Sequence, residues 1–255
     1  MSDAPSTGKH SLDRATTDES EVPPGTGRML SGTGFGNDTG EADPNLSAAL
    51  AEGWGEVALL AALTNARLLV PVVAAPASAN PGELKSPRSA DMGVVTLTSP
   101  EGQRALPVFT SVTALLAWDP AARPSPVTSA TAAQAAVAER CDVLVIDVGS
   151  RHPRVLRPSM VWALAQQREW LPAHTDPFVA LTLTRATADE AEVIGCFCED
   201  GDPAGAGILR VVLSLRPGLD PAQVQALATR IGERIAKDGE ARARIDGLAF
   251  TIRPA

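Results

Sequence analysis

Histidine and cysteine, the residues that most often carry acid–base, thiol and metal chemistry, are scarce in this chain of 255 residues. There are three histidines and three cysteines. Because only histidine titrates near neutral pH without a large shift of its pKa, so few histidines are atypical of an acid–base enzyme. An odd and small number of cysteines does not build a disulfide framework and is typical of reduced thiols in the cytoplasm.

Long apolar runs and a net positive charge are missing as well. The first twenty residues, MSDAPSTGKHSLDRATTDES, contain no apolar core of a signal peptide, and the most apolar stretch, RLLVPVVAAPASA, is too short to cross a bilayer. The net charge is −8, whereas proteins that bind phosphate backbones present basic surfaces. We therefore expect a cytoplasmic protein that binds neither nucleic acid nor a membrane.

The charge is unevenly distributed along the chain. Residues 1–44 carry eight acids and three bases, whereas residues 205–255 carry eight bases and five acids. Such a polarity favours contacts with proteins over contacts with phosphates.

Composition divides the chain into three predicted parts. Residues 1–40 are rich in Gly, Ser, Thr and acids and almost free of aliphatic residues, so we predict a disordered acidic arm. A mixed-sheet α/β domain is predicted over residues 41–175. The segment WLPAHTDPF marks the boundary to a smaller domain at 176–255.

The first domain is predicted to begin with two helices and a strand. Asp43 followed by Pro44 is a good helix start, and EVALLAALTNA is predicted to form the second helix. RLLVPVVAA has the length of a strand, and Pro71 inside it predicts an edge position or a bulge. MGVVTLTS and QRALPVFT flank a turn and predict a hairpin. Ser129 is predicted to cap a helix at 129–139, and CDVLVIDVG is predicted to be a buried strand.

The second domain is predicted to be a β-β-α-β unit. AEVIGCFCE and GILRVVLSL flank a turn, DPAQVQALATRIGERIAKDG has an apolar stripe at helical spacing, and GLAFTIRP closes with a strand. The fold class is therefore mixed α/β, a mixed-sheet domain followed by a small β-β-α-β domain.

Two segments suggest a ligand site, but the residues around each of them do not match such a site. The glycine-rich GTGRMLSGTGFGND follows no strand and lacks the Gly-Lys-Ser/Thr of a phosphate-binding loop, so a linker is the better interpretation. Cys196 and Cys198 alternate on a predicted strand, but no other ligands stand at the spacing of a zinc site. We predict no metal and no cofactor, and two thiols that pack under a sheet.

The segment LVIDVGSRHP is the part of the chain that most resembles an active site. Asp147 ends a buried strand, and Ser150 and His152 follow within a turn, which is where α/β proteins often keep their sites. A hydrolase at these residues is our lowest-ranked hypothesis, because a nucleophile elbow needs small neighbours and Arg151 follows the serine. A solvated turn is favoured, and no catalytic residue is assigned.

The segment RALPVFTSVTALLAWDP joins a predicted strand to a predicted helix. In the structural interpretation, Thr110 or Ser111 caps the helix, while Pro107, Phe109 and Trp118 form an apolar junction in the core. We favour this interpretation because helix caps are common and ligand sites are few.

A ligand-binding interpretation of the same junction stays open. The hydroxyls of Thr110 and Ser111 and the free N–H groups of the helix start could receive a small carboxylate, with Arg123 as a bidentate clamp. This alternative would make the protein a sensor of a small metabolite, such as an amino acid.

Several segments together resemble the SseB family, the enhanced-serine-sensitivity proteins, in its actinobacterial branch. ALPVFTS and LLAWDPAARPSPV resemble the N-terminal domain of that family, as do FGNDTGEADPNLSAAL, ALLAALTNARLLVPVVA and SADMGVVTLTSPEGQRALPVFTS. RIAKDGEARARIDGLAFTI is similar to its C-terminal domain. The resemblance implies a mixed α/β fold in which the Pro107–Ser111 turn and the Arg123–Pro124 segment recur, and it brings no agreed catalytic residues.

From these observations we expect a non-catalytic binding protein, and interaction with another protein is the first-ranked hypothesis for what it binds. The carboxylate sensor is the alternative, and the hydrolase ranks lowest.

Overall fold

The structure is a computed structural model that describes residues 35–36, 38–74 and 92–254. The predicted arm, residues 1–40, lies outside the described residues except for Phe35, Gly36 and 38–40. Within the described ranges there are eight helices and ten strands, which confirms the mixed α/β class. The helices are α1 (Pro44–Ala51), α2 (Glu56–Asn65), α3 (Val112–Trp118), α4 (Ser129–Ala138), α5 (Pro158–Ala165), α6 (Pro177–Thr187), α7 (Pro221–Lys237) and α8 (Gly239–Arg244). The strands are β1 (Arg67–Ala74), β2 (Met92–Val94), β3 (Leu97–Thr98), β4 (Arg104–Val108), β5 (Arg123–Thr128), β6 (Val143–Ile146), β7 (Arg154–Leu156), β8 (Val193–Asp200), β9 (Ile208–Leu215) and β10 (Gly247–Pro254).

The strands form three small sheets. The first has the antiparallel order β2-β1-β5. The second has the order β3-β4-β6-β7, in which β4 and β6 are parallel and the outer strands are antiparallel. The third has the order β10-β9-β8, with β8 antiparallel and β10 parallel to β9. The last part has the order β8-β9-α7-α8-β10, which matches the predicted β-β-α-β order except for the added short helix α8.

Three helices begin at the same dipeptide, Asp-Pro. Asp43, Asp176 and Asp220 are the N-caps of α1, α6 and α7, and each carboxylate accepts a backbone N–H of the first turn. The proline then occupies the first helical position, where its missing N–H costs no hydrogen bond. The pattern predicts α1 and α7 correctly, whereas Asp176-Pro177, predicted to lie at a domain boundary, in fact starts α6.

The prediction that Pro71 marks an edge or a bulge is wrong, because β1 is the central strand of its sheet. Leu69 exchanges both backbone hydrogen bonds with Phe109. Because backbone groups two residues apart point to the same side of a strand, the nitrogen and the carbonyl of Pro71 point to the side of β1 on which Phe109 and β2 lie. There β2 pairs only from Val72 onward, and the Pro71 carbonyl accepts from the Val95 N–H. The missing N–H of the proline therefore falls just past the end of the β1–β2 pairing, opposite Val95, and interrupts no bond within it.

Two further details differ from the sequence reading. The segment RPSPVT, in which no strand was predicted, forms the edge strand β5. Thr128, not Ser129, caps α4, with its hydroxyl accepting from the Thr131 N–H. The Ser129 hydroxyl instead donates to the carbonyls of Leu63 and Ala66, which ties the start of α4 to the end of α2.

Apolar side chains gather in separate clusters along the chain. The first contains residues of α1, α2, α4 and α5 and of the first two sheets, and another contains α6, α7, α8 and the third sheet. Polar contacts join these regions, since Asp246 accepts from Arg157 Nε at 3.0 Å and from the Ser159 N–H at 2.7 Å. The domain boundary between residues 175 and 176 stays a prediction. No helix among the described residues is long and apolar enough to cross a membrane.

A buried carboxylate fastens α7 to the connection between α6 and β8. Glu190 is 6% exposed and lies 2.7 Å from Arg230 Nη2 and 2.8 Å from Arg234 Nη1. The hydrogen bond from Arg230 is the main reason that the pKa of Glu190 is lowered, against the opposing effect of burial. The folded state therefore binds a proton at this group less readily than the unfolded chain does.

Replacing Glu190 by Gln is expected to lower the melting temperature at neutral pH by roughly 2–4 °C, as for a partly exposed ion pair in a chain of this size. The stabilisation by Glu190 is complete above the ordinary pKa near 4.5 and is lost as the pH falls through the lowered folded value. The difference between wild type and variant should therefore shrink on acidification. Melting curves from neutral pH down to about pH 3 measure it, and a difference that is constant with pH would contradict the assignment.

Candidate functional site

The Phe109–Ser111 junction uses its polar groups inside the protein. Thr110 is buried, and Asp147 accepts both its N–H and its hydroxyl hydrogen, each at 2.8 Å. The Ser111 hydroxyl caps α3 by accepting the Ala114 N–H at 3.1 Å. A carboxylate ligand at this position would have to displace Asp147 from Thr110.

The apolar side of the junction belongs to the core. Phe109 is fully buried, and its ring centroid lies 5.2 Å from that of Trp118. Pro107 lies in β4, opposite Val145 of β6. Phe109 and Trp118 belong to one apolar cluster with Leu69 and Leu115.

Arg67, not Arg123, is the arginine that meets this turn. Arg67 donates to the Thr110 carbonyl at 2.8 Å and pairs with Asp38 at 2.7 Å. Arg123 is exposed on the edge strand β5, opposite Val72, and no hydrogen bond within the described residues links it to Thr110. The sequence reading missed Arg67 because the contact joins residues far apart in the chain.

The Asp147, Ser150 and His152 side chains do not form a relay. Both carboxylate oxygens of Asp147 are bound to Thr110, and the Ser150 hydroxyl accepts the backbone N–H of His152 at 3.3 Å. No hydrogen bond between the side chains of Ser150 and His152 is present among the described residues. Their geometry is that of a turn, with Asp147 in the left-handed region at φ 49°.

The three thiols are protonated and lie in apolar surroundings. Burial raises the pKa of the Cys141, Cys196 and Cys198 thiols, so they stay protonated at neutral pH. Cys196 and Cys198 pack against the core of the third sheet, as predicted. In the part of the chain that the structure describes, no three His, Cys, Asp or Glu residues come together as metal ligands. The glycine-rich segment 25–38 lies outside the described residues except for Phe35, Gly36 and Asp38.

An extended concave surface follows the outer side of α2, and we name it the α2 groove. Its central cavity has a volume of about 620 Å³. The side chains that line it come from α2, the start of α4 and the segment after α5: Val57, Leu60, Ala61, Thr64, Asn65, Thr128, Ala130, Leu164, Gln167, Arg168, Glu169 and Trp170.

A cavity continues the groove at each end of α2. The one at the helix start, about 480 Å³, shares Val57 and Ala61 with the centre and reaches Arg157 and Asp200. The one at the helix end, about 660 Å³, shares Thr64, Asn65 and Thr128 with the centre. The three cavities therefore follow the full length of α2.

Carboxylates dominate both ends of the groove. Glu56 and Asp200 line the first end with Arg157, which is already paired with Glu56 and Asp246. The other end is lined by Asp38, Glu41 and Asp43, against Arg67 alone.

The centre of the groove is electrically balanced. Arg168 lies beside Glu169 and pairs with Glu240 at 2.6 Å. The groove thus has an apolar, neutral middle between two acidic ends.

A signal for this groove is present in the sequence of α2. EVALLAALTN is apolar on more than one face, whereas a helix that covers one core needs only one apolar stripe. Leu59, Leu60 and Leu63 are buried, and Val57 and Ala61 are exposed toward the groove. The sequence cannot tell which of the faces the fold leaves open.

Comparison with known proteins relates part of the chain to a protein family. Residues 46–163 match the family model of the SseB protein N-terminal domain. The matched range includes α2, the Phe109–Ser111 junction and most of α5. No curated protein matches the chain at a significant level.

Replacing Asp147 by Ala should destabilise the protein by about 2–4 kcal/mol, because a buried N–H and hydroxyl lose their acceptor and alanine is strained at a positive φ. Asp147→Asn is the matched control. Asparagine tolerates the left-handed region and keeps one acceptor oxygen, so about 1 kcal/mol is expected. Urea unfolding measures both variants. Equal stability of Asp147→Ala and wild type would show that the junction does not depend on this contact.

Proposed function

The chain belongs to the SseB family through its N-terminal domain, and we propose that it is a non-catalytic binding protein whose α2 groove takes a segment of another protein. The segment has an apolar centre and basic flanks. The observation that carries the proposal is the combination in one groove of an apolar middle and two acidic ends.

The shape of the groove supports a peptide rather than a compact metabolite. A helix of ten residues is about 15 Å long, and cavities accompany α2 over this whole length. Small-molecule sites are concave pockets that enclose most of their ligand. An open channel along a helix instead suits an extended or helical segment whose anchors fill successive positions.

The surface of α2 supplies places for apolar anchors. Val57 is 43% exposed, and Ala61 lies one turn further along the same face. Small side chains leave depth in the groove, and the largely buried Leu164 and Trp170 also line it. Burying an apolar anchor there is favourable by about 25 cal/mol per Å² of apolar surface.

The negative charge at the two ends of the groove favours a partner segment with basic residues on both sides of its apolar centre. Lys or Arg residues on both sides of the apolar anchor would face Asp200 and Glu56 at one end and Asp38, Glu41 and Asp43 at the other. Charges of this kind raise the association rate and exclude acidic partners more than they add affinity.

A cytoplasmic location and the absence of a catalytic step are part of the same proposal. The raised pKa values of the three thiols argue against a cysteine nucleophile. The engagement of Asp147 with Thr110 argues against its use as the third member of a hydrolase relay. Among the described residues, no contact between Arg123 and Thr110 or Ser111 supports the alternative of a carboxylate sensor.

The experiment is a selection of displayed random peptides on the full chain. Binding peptides are expected to share an apolar core with Lys or Arg on both sides. The variant Ala61→Arg places a long cation in the middle of the groove, and Arg is a good helix former, so α2 should keep its fold. It should weaken the selected peptides by tenfold or more.

Ala180→Arg is the matched control, because Ala180 is an exposed alanine inside α6 and is not among the residues that line the groove. It should bind the peptides as wild type does. Selected peptides without basic residues, or an equal loss of binding in both variants, would refute the groove as the binding site.

A further inference from the structure

The last strand, β10, presents an unprotected edge. It is eight residues long and, within the described residues, pairs only with β9. Exposed edges in natural proteins usually carry charges or prolines that prevent pairing with another chain. Here Gly247–Ile252, GLAFTI, is free of both, and Arg253 and Pro254 come only at the end.

One face of this edge strand is apolar. Leu248, Phe250 and Ile252 alternate on the side of the sheet that carries α7, in register with Leu209, Val211 and Leu213 of β9. The β9 residues are fully covered, whereas Leu248 and Ile252 are 37% and 38% exposed. The apolar face of the third sheet thus extends to its edge strand, β10, where Leu248 and Ile252 are partly exposed to solvent.

The flank of α7 above the edge is uncharged as well. Gly232 faces β10, since a Cβ at this position would lie 3.6 Å from the Phe250 ring and 4.0 Å from Leu248. Ala228 and Ala236 lie one turn to either side on the same flank. The arginines of α7 point elsewhere, because Arg230 and Arg234 bind Glu190 on the side of α6.

We propose that two copies of this chain associate through their β10 strands. The strands pair antiparallel about a two-fold axis at Phe250, so that the two three-stranded sheets become one sheet of six strands. In this register Leu248 of one copy faces Ile252 of the other, and Arg253 faces Gly247. No like charges stand opposite each other, and such cross-strand apolar pairs are stabilising.

The spacing of the helices fits this arrangement. Neighbouring strands are about 4.8 Å apart, so a helix above the gap between β9 and β10 lies about 5 Å from the axis. The two α7 helices would then be about 10 Å apart, close to the 8–10 Å of packed helices. Ala228, Gly232 and Ala236 are small enough for this approach. The occupant is therefore a second copy, because the edge and the helix flank complement themselves in one symmetric contact.

Sedimentation velocity on the full chain is expected to give a species of twice the chain mass of 26.4 kDa. Ile252→Lys puts a charge into the strand pair opposite Leu248 of the other copy, and Ala236→Arg puts a long cation on the closely packed helix flank. Each should convert the dimer to a monomer at concentrations where wild type is dimeric. Ala226→Arg, an exposed site of α7 outside this flank, is the control and should stay dimeric. Unchanged melting curves identify variants that fold.

A mixing experiment tests the register. Leu248→Glu alone should also give a monomer, but Leu248→Glu mixed with Ile252→Lys should restore a dimer, because the new carboxylate faces the new ammonium while the second Leu248–Ile252 pair is native. A monomeric wild type at high micromolar concentration would overturn the proposal. A dimer that survives both Ile252→Lys and Ala236→Arg would overturn it too, and a failure of the mixture would overturn the register.

Discussion

The exchange of two backbone hydrogen bonds between Leu69 and Phe109 holds the first part of the molecule together. The N–H of each residue lies 2.8–2.9 Å from the carbonyl oxygen of the other. This bridge connects the sheet β2-β1-β5 to the sheet β3-β4-β6-β7, and both residues are almost completely buried. The same two sheets share one apolar cluster, which contains Leu68 of β1 and Leu106 of β4, so the bridge fixes how the two sheets meet inside a common core.

The neighbouring contacts explain why the turn after Phe109 is polar. A chain that leaves a buried bridge must still satisfy its backbone groups without water. Asp147, at the end of β6, accepts the Thr110 N–H, and Arg67 donates to the Thr110 carbonyl. Polar residues at a strand end resemble a binding site in sequence because both uses need the same donors and acceptors. Here those groups have partners within the chain.

Local patterns predicted most of the helices and strands, whereas their neighbours in space were predicted less well. The three Asp-Pro pairs carry their own cap and first helical position, so α1 and α7 could be read directly, and α6 could have been. Strand β5 could not, because two prolines within six residues argue against a strand. Its edge position next to β1 makes them tolerable. The open face of α2 and the contact of Arg67 likewise depend on residues distant in sequence.

The α2 groove and the β10 edge are connected through a single carboxylate. Asp246 accepts from Arg157, which lines one end of the groove, and from both donors of Ser159. It is also the residue immediately before β10, so the same ion pair that shapes the groove end fixes where the edge strand begins. Gly207 sits against this arginine at φ +80°, where a Cβ would collide with the Arg157 Nε. A partner segment whose basic flank competed for Glu56 would therefore act on the group that positions the start of β10.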